Sequence, residues 1–201
     1  MGHMKFKDIQ PYENWFWEKN RINIQQDYVQ KIDTENKKLT LASGNVTTYD
    51  KLIIATGSKS NKFGWKGQDL AGVQGLYSAQ DLELLEQNTS GITNAVIVGG
   101  GLIGIELAEM LMSRNIKVTF LVRESNYWNN VLPEEEASMV SRHIIEHGAE
   151  LRLQTELKEI IDDGAGKVKS IITSNGDEIP CQFVGLTAGV SPNIDIVKNT
   201  S

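Results

Sequence analysis

Residues 95–122 read AVIVGGGLIGIELAEMLMSRNIKVTFLV. The run Ala95–Val98 is wholly apolar and is bounded by glycine, which is typical of a strand covered on both faces of a parallel sheet. The segment Leu102–Ser113 is apolar on nearly all sides and predicts a helix packed against that sheet. Lys117–Val122 is rich in β-branched residues and predicts a second strand. Together these segments predict a βαβ unit.

A glycine motif of the form G-x-G-x-x-G connects the first strand to the helix. Gly99 permits a tight turn, Gly101 lets a pyrophosphate approach the backbone, and Gly104 lets the helix pack close to the strand. The amides of Leu102, Ile103 and Gly104 are expected to lack helical acceptors and to point at the ligand, where the helix dipole is positive. The motif alone is weak, but its strand–helix–strand context favours a dinucleotide site over a turn that binds nothing. The predicted phosphate site consists of Gly99, Gly100, Gly101, Leu102, Ile103 and Gly104.

Two charged residues, Arg123 and Glu124, follow the second strand. An acid at this place accepts hydrogen bonds from the ribose 2′-hydroxyl of NAD, and an arginine suits the 2′-phosphate of NADP. Both residues can also be solvated charges at a strand end. These two residues do not decide between NAD and NADP as the cofactor. They slightly favour tolerance of NADP.

The remaining segments extend the unit to an α/β fold, a Rossmann-like parallel sheet with an antiparallel meander. Further helices are predicted over residues 8–19, from a Ser78 cap to about Gln87, and after Pro133. Further strands are predicted over residues 21–24, 28–32, 38–41, 51–55, 151–153, 157–161, 168–173 and 183–187. The Gly176-Asp177 pair predicts a hairpin between the last two strands. The stretch Gly57–Gly75 is long for a connection inside a domain and is interpreted as a link between two domains.

Composition excludes several classes of function. The formal net charge is −6 and no basic block is present, which argues against nucleic-acid binding. No apolar run reaches the length of a membrane span. The single cysteine, Cys181, suits a reducing compartment and predicts a cytoplasmic protein. Without a His/Asp partner, Cys181 is interpreted as a small packed side chain and not as a nucleophile.

Two other patterns each allow both a structural and a functional interpretation. Residues His143–His147 spell H-x-x-E-H, a zinc-peptidase pattern. The favoured interpretation is a helix with Ile144 and Ile145 buried and both histidines and Glu146 solvated. Trp15 and Trp17 belong to an aromatic cluster that is either core or exposed surface, and an exposed cluster favours association into a homodimer.

Three ordered segments resemble the FAD-dependent pyridine nucleotide-disulfide oxidoreductases. Tyr49–Gly57 (YDKLIIATG) is similar to a Y-D-x-L-I-I-A-T-G segment of that family. Gly99–Glu106 (GGGLIGIE) is similar to its nucleotide-binding motif, including the acid after the third glycine. Ala188–Asn193 (AGVSPN) is similar, with a slight offset, to its A-x-G-x-x-P-N segment. The resemblance covers nearly the whole chain.

The resemblance implies a domain plan and roles for residues. Residues 5–90 would be a partial FAD-binding domain segment with a linker, and residues 91–201 the NAD(P)-binding domain. Ala55, Thr56 and Gly57 would lie near FAD, Glu106 near the nicotinamide end, and Gly189 along the nicotinamide site. An acid of lipoamide dehydrogenase-like members falls at Val122, and an arginine of glutathione reductase-like members falls at Arg123. The second basic residue expected in the latter falls near Asn129, which is not basic.

The implied function is the NAD(P)H-binding portion of a flavoprotein oxidoreductase. Hydride would pass from NAD(P)H to FAD and on to an unidentified acceptor, and no catalytic or metal-ligating side chain is assigned here. The family's own FAD-binding glycine turn and its late Gly-Asp motif do not occur in this sequence. The chain is therefore expected to be a fragment that holds FAD weakly and does not turn over alone. The alternative is a non-catalytic dinucleotide-binding or regulatory module.

Overall fold

The computed structural model describes residues 6–198 and residue 200. The described residues divide into two compact units. The first contains the residues up to Gly57 together with those from Pro192 onwards, and the second contains Ser58–Ser191. The domain division predicted after residue 90 stays a prediction, because compactness alone does not identify which residues bind FAD. The predicted end residues 5, 199 and 201 lie outside the described residues.

The first unit is built around a small antiparallel meander. Its elements are a 3₁₀ turn (Phe6–Ile9), α1 (Asn14–Lys19), β1 (Val29–Asp33), β2 (Lys38–Leu41), β3 (Val46–Thr48) and a second 3₁₀ turn (Asp195–Val197). The strands pair in the order β1-β2-β3, with Ile32 opposite Leu39 and Leu39 opposite Thr47. An antiparallel meander is thus confirmed, but β3 was not predicted and takes the place of the predicted strands 21–24 and 51–55.

The second unit contains the parallel sheet. Its elements are β4 (Ser58–Ser60), β5 (Val73–Gln74), α2 (Ala79–Asn88), β6 (Asn94–Val98), α3 (Leu102–Met112), β7 (Lys117–Leu121), α4 (Glu134–Glu146), β8 (Glu150–Arg152), β9 (Leu157–Asp162), β10 (Val168–Thr173), β11 (Glu178–Pro180) and β12 (Phe183–Leu186). A last strand, β13 (Val190–Pro192), ends in the first unit and pairs with β4.

Five strands form the parallel sheet in the order β5-β12-β6-β7-β8. Helix α3 connects β6 to β7, and α4 connects β7 to β8. The chain then forms the antiparallel sheet β11-β10-β9 and returns as β12 on the other side of β6. The order of strands therefore reverses between β6 and β12, and the carboxyl ends of these two strands form a crevice of the kind that binds ligands in open α/β sheets.

Both faces of the parallel sheet are buried. Ala95 and Ile97 of β6 pack in a core cluster with residues of the helices, among them Leu107 of α3. Val96 and Val98 pack in a second cluster with residues of the antiparallel sheet. The apolar run of β6 therefore lies in the middle of three layers, as its sequence predicts.

Several boundaries differ from the prediction. Residues 21–24 and 51–55 are not strands, and the helix predicted over residues 8–19 is limited to α1 after a 3₁₀ turn. Ile53 is 91% exposed, because no strand of the described residues pairs with its segment. A strand pattern does not form a strand without a neighbour that accepts its backbone hydrogen bonds.

Two connections were also predicted wrongly. Residues 58–75 do not form a free link, since β5 is an edge of the parallel sheet and Ala71 bridges to Lys167. The Gly176-Asp177 turn joins β10 to β11 and not to β12. Strand β12 instead joins the parallel sheet.

None of the helices in the described part of the chain is long and apolar enough to cross a lipid bilayer.

Candidate dinucleotide-binding site

A cavity of about 550 Å³ opens at the carboxyl ends of β6, β7 and β12. Gly99–Ile103 after β6, Arg123 and Glu124 after β7, and Thr187–Gly189 after β12 line its walls. The volume lies in the range of small-molecule sites. The structure thus brings the predicted phosphate turn, the two charged residues and Gly189 around one cavity.

A methyl group added at each glycine of the turn would have different surroundings. Gly99 has φ +125°, and a methyl group there would lie 2.7 Å from the Thr187 carbonyl oxygen. A methyl group at Gly104 would lie 2.9 Å from the Tyr127 hydroxyl and 3.1 Å from the Thr187 hydroxyl. At Gly101 it would meet no atom within 4 Å. Gly99 and Gly104 are therefore required by the fold, whereas the open space at Gly101 is available to a ligand.

The amides of the first helical turn differ from one another. The Gly104 amide donates to the Gly101 carbonyl oxygen at 3.1 Å, so the prediction that it lacks a protein acceptor is wrong. The first turn of α3 closes with a tight i→i−3 bond and takes up that donor. Within the part of the chain that the structure describes, the amides of Leu102 and Ile103 have no acceptor, and both residues line the cavity. Two free donors at the positive end of a helix are the features that can bind an anion.

The end of β7 carries the charges that the sequence places near a ribose. Val122 is fully buried, and a methyl group added at Gly100 would lie 3.0 Å from its Cγ1. The Arg123 Nε donates to the Glu124 carboxylate at 2.7 Å. Glu124 and Glu156 raise the pKa of the Arg123 guanidinium, through the hydrogen bond to Glu124 first and then through charge attraction. Arg123 is therefore held by the acid beside it.

Other predicted residues have different places. Glu106 is an exposed residue of α3 and is not among the described residues that line the cavity. Ala55, Thr56 and Gly57 are exposed in the first unit. There the Thr56 hydroxyl donates to the Asn193 carbonyl oxygen at 2.6 Å, and the Asn193 amide donates to the Gly57 carbonyl oxygen at 2.9 Å. Their predicted contact with FAD stays a prediction.

Sequence reasoning missed several cavity residues. Trp128 and Asn130 come from the loop after β7, Glu156 from the loop before β9, and Phe63 from the segment after β4. Trp128 has φ +63°, an uncommon conformation for a bulky residue, which sequence patterns do not reveal. The one sequence signal that Trp128 lines the cavity is its position shortly after Arg123 and Glu124.

The histidines and the cysteine lie outside the cavity. His143, Glu146 and His147 are exposed on α4, as the favoured interpretation predicts, and the His147 ring nitrogen Nδ1 lies 2.8 Å from the His143 carbonyl oxygen. Ile144 is buried but Ile145 is 54% exposed, contrary to the prediction. Cys181 is fully buried, and burial raises the pKa of its thiol to about 12. Its prediction as a packed side chain is confirmed.

Solved structures of known proteins share this fold. A ferredoxin reductase from Rhodopseudomonas palustris superposes with a TM-score of 0.87 at 25% identity, over 95% of this chain and 47% of that one. An NAD-dependent persulfide reductase from A. fulgidus superposes with a TM-score of 0.84 at 27% identity, over 94% and 35%.

Sequence comparison leads to the same group of proteins. Rhodocoxin reductase of Rhodococcus erythropolis is 29% identical over 86% of this chain. The ferredoxin–NAD(+) reductase component of the biphenyl dioxygenase system of Paraburkholderia xenovorans is 28% identical over 83% of this chain. In both comparisons this chain spans 40% of the length of the relative. A sequence model of the family described as pyridine nucleotide-disulphide oxidoreductase matches residues 6–201. The chain belongs to the pyridine nucleotide-disulphide oxidoreductase family.

Proposed function

We propose that this chain binds a pyridine nucleotide by its diphosphate at the turn Gly99–Gly104. The observation that carries the proposal is the open space at Gly101, next to the free amides of Leu102 and Ile103. A diphosphate placed there accepts two charge-assisted hydrogen bonds from the backbone and lies at the positive end of α3. A side chain at position 101 would occupy the same space.

The residues present suit the rest of a dinucleotide. Besides the turn, Arg123 and Glu124 line the cavity, and so do Thr187–Gly189. Glu124 is 30% exposed at its side chain and can accept hydrogen bonds from ribose hydroxyls. Gly189 lines the cavity and has no side chain, so its backbone is bare where the nicotinamide is proposed to lie.

In the whole protein, we propose that this portion serves an FAD-dependent NAD(P)H oxidoreductase. Bound NAD(P)H supplies a hydride for FAD, and the residues of this chain bind and orient the nucleotide. The names of relatives support the proposal, because they include ferredoxin–NAD(+) reductase and nitrite reductase [NAD(P)H]. The electron acceptor is not assigned, since relatives with similar identity act on different ones.

The FAD part of the proposal rests on family membership. The described residues contain a single G-x-G-x-x-G turn, and the predicted FAD contacts Ala55, Thr56 and Gly57 form no enclosed cradle by themselves. We therefore propose that this chain alone holds FAD weakly and does not turn over.

The test is a calorimetric titration of the 201-residue chain with NADH. The wild type is expected to bind, Gly101→Ala to bind at least roughly tenfold more weakly, and Gly101→Val more weakly still, because the side chain displaces the diphosphate.

Urea unfolding of the same variants is the control. Since a methyl group at Gly101 meets no atom within 4 Å, the free energy of unfolding of Gly101→Ala should lie within about 1 kcal/mol of the wild-type value, the difference being the effect of the N-cap position. Unchanged NADH binding by both variants, or no binding by folded wild type, contradicts the proposal.

A further inference from the structure

Tyr127 is a buried tyrosine that contacts the phosphate turn. It is 1% exposed and is not among the described residues that line the cavity. Its ring packs edge-on against Phe120 of β7, with centroids 5.4 Å apart. Its hydroxyl donates to the Gly101 carbonyl oxygen at 2.7 Å. The Tyr127 hydroxyl is thus a buried polar group, and its hydrogen bond is to the turn.

The hydrogen bond to Gly101 is the shortest of three that fix the direction of the next amide. The peptide between Gly101 and Leu102 is planar and trans, so its carbonyl and its N–H point in opposite directions. The Tyr127 hydroxyl holds the carbonyl inward, together with the amides of Gly104 and Ile105 at 3.1 and 3.4 Å. The Leu102 N–H is consequently turned outward, and Leu102 lines the cavity.

We propose that Tyr127 is a positioning residue that pre-orients the Leu102 amide for the diphosphate of the nucleotide. The proposal rests on the proposed function, because the diphosphate is the group that this amide would bind. Fixing a donor before the ligand arrives removes the ordering cost from the binding step.

Several contacts hold Tyr127 in place for this role. Its backbone amide donates to the Ser141 hydroxyl at 2.8 Å, and that hydroxyl donates to the Ala137 carbonyl oxygen at 3.0 Å. Tyr127 therefore links α4, β7 and the turn. Burial raises the pKa of its phenol, so the hydroxyl stays protonated and remains a donor across the physiological range.

The absence of a side chain at Gly104 completes the arrangement. A methyl group there would lie 2.9 Å from the Tyr127 hydroxyl. The third glycine of the motif therefore admits the hydroxyl as well as the close packing of α3. This second role of Gly104 requires a tyrosine at position 127.

Tyr127→Phe removes the hydroxyl and keeps the ring. NADH binding by this variant is expected to be about 3- to 10-fold weaker, the effect of one hydrogen bond. In ¹H–¹⁵N spectra, the shift of the Leu102 amide on addition of NADH should be smaller than in the wild type. A purely structural tyrosine would change the free energy of unfolding without changing that amide's response.

Thr89→Val is the matched control. The Thr89 hydroxyl donates to the Leu85 carbonyl oxygen at 2.7 Å, and Thr89 is 5% exposed at the end of α2, outside the residues that line the cavity. This variant loses a buried hydrogen bond of the same length and should bind NADH like the wild type. Ser141→Ala, which removes the acceptor of the Tyr127 amide, is a second test and should weaken NADH binding to a smaller extent.

The outcomes separate the two proposals. Wild-type binding together with equal binding by Tyr127→Phe overturns the role of Tyr127 alone, and so does an equal loss in Thr89→Val. If Tyr127→Phe does not fold, unchanged binding by Ser141→Ala overturns it. Failure of the folded wild type to bind NADH overturns the proposed function and, with it, the inference that rests on it.

Discussion

At the scale of single residues, the choice of nucleotide depends on which charges surround the ribose. Of the described residues that line the cavity, Arg123 carries a positive charge and Glu124 and Glu156 carry negative ones. The Nε–H of Arg123 already donates to Glu124, and the two carboxylates in the same cavity repel a phosphate dianion. From these charges we expect a preference for NAD, in place of the slight leaning toward NADP tolerance that the sequence suggests.

We therefore expect NADH to bind more tightly than NADPH. Glu124→Gln should reduce the ratio of the NADPH dissociation constant to the NADH dissociation constant by roughly tenfold. The substitution removes repulsion between Glu124 and the 2′-phosphate and releases Arg123. Titration with both nucleotides at low and high salt measures the ratio, which should shrink as salt screens the charges. Glu109→Gln, on the exposed face of α3, is the control and should leave the ratio unchanged. Tighter binding of NADPH by the wild type would refute this assignment.

At the scale of elements, the packing of α3 against the turn depends on the third glycine. Gly104→Ala would bring a methyl group against the hydroxyls of Tyr127 and Thr187, both of which belong to buried residues. Overpacking of this kind costs about 1–3 kcal/mol, and the better helix propensity of alanine offsets about 1 kcal/mol of it.

We expect Gly104→Ala to unfold at lower urea than the wild type, and Gly104→Ala/Tyr127→Phe to recover part of the loss because one of the two clashing hydroxyls is gone. Denaturant titrations of the single and double variants measure this coupling. Strictly additive effects of the two substitutions would show that the hydroxyl and the methyl group do not compete for space.

The sequence predicts elements best where the local pattern and the tertiary environment agree. The unit β6–α3–β7 is predicted almost to the residue, and Asn115 after α3 has a left-handed φ of 61°. The segment 51–55 has the same apolar, β-branched character as β6, but it lacks a neighbouring strand and stays unpaired. Strand β11 is three residues long and ends at Pro180, which hides it from a pattern search.

The backbone of the candidate site and the side chains of Arg123 and Glu124 are predicted from the sequence, whereas its other side chains are missed. The spacing of Gly99, Gly101 and Gly104 determines where the turn and the free amides lie. The orientation of Trp128 depends on a loop conformation with positive φ, and the place of Tyr127 depends on its packing between β7 and α4. Neither has a periodic signal, because both belong to an irregular segment.

At the scale of the whole molecule, the stability of the second unit depends on apolar layers on both faces of its sheet. Cys181 lies in the layer next to the antiparallel sheet and is fully buried. Burial raises the pKa of its thiol from an ordinary value of 9.0 to about 12. The folded protein therefore keeps the thiol neutral at pH values where the unfolded chain ionises it.

The stability that this thiol contributes is full below pH 9 and is lost as the pH rises toward 12. The free energy of unfolding should fall more steeply for the wild type than for Cys181→Ala over this interval, by up to about 1.4 kcal/mol per pH unit. Urea titrations between pH 8 and pH 11 measure the two slopes, and ionisation of other groups cancels in their difference. Parallel curves would mean that the thiol ionises equally in both states.

The central claim is that the diphosphate of a pyridine nucleotide binds to the backbone at the start of α3. A crystal structure of this chain with NADH measures it most directly. We expect diphosphate oxygens about 2.7–3.1 Å from the Leu102 and Ile103 amide nitrogens, with the ligand over Gly101. A nucleotide bound elsewhere, or one whose diphosphate lies beyond hydrogen-bond distance of both amides, would contradict the claim.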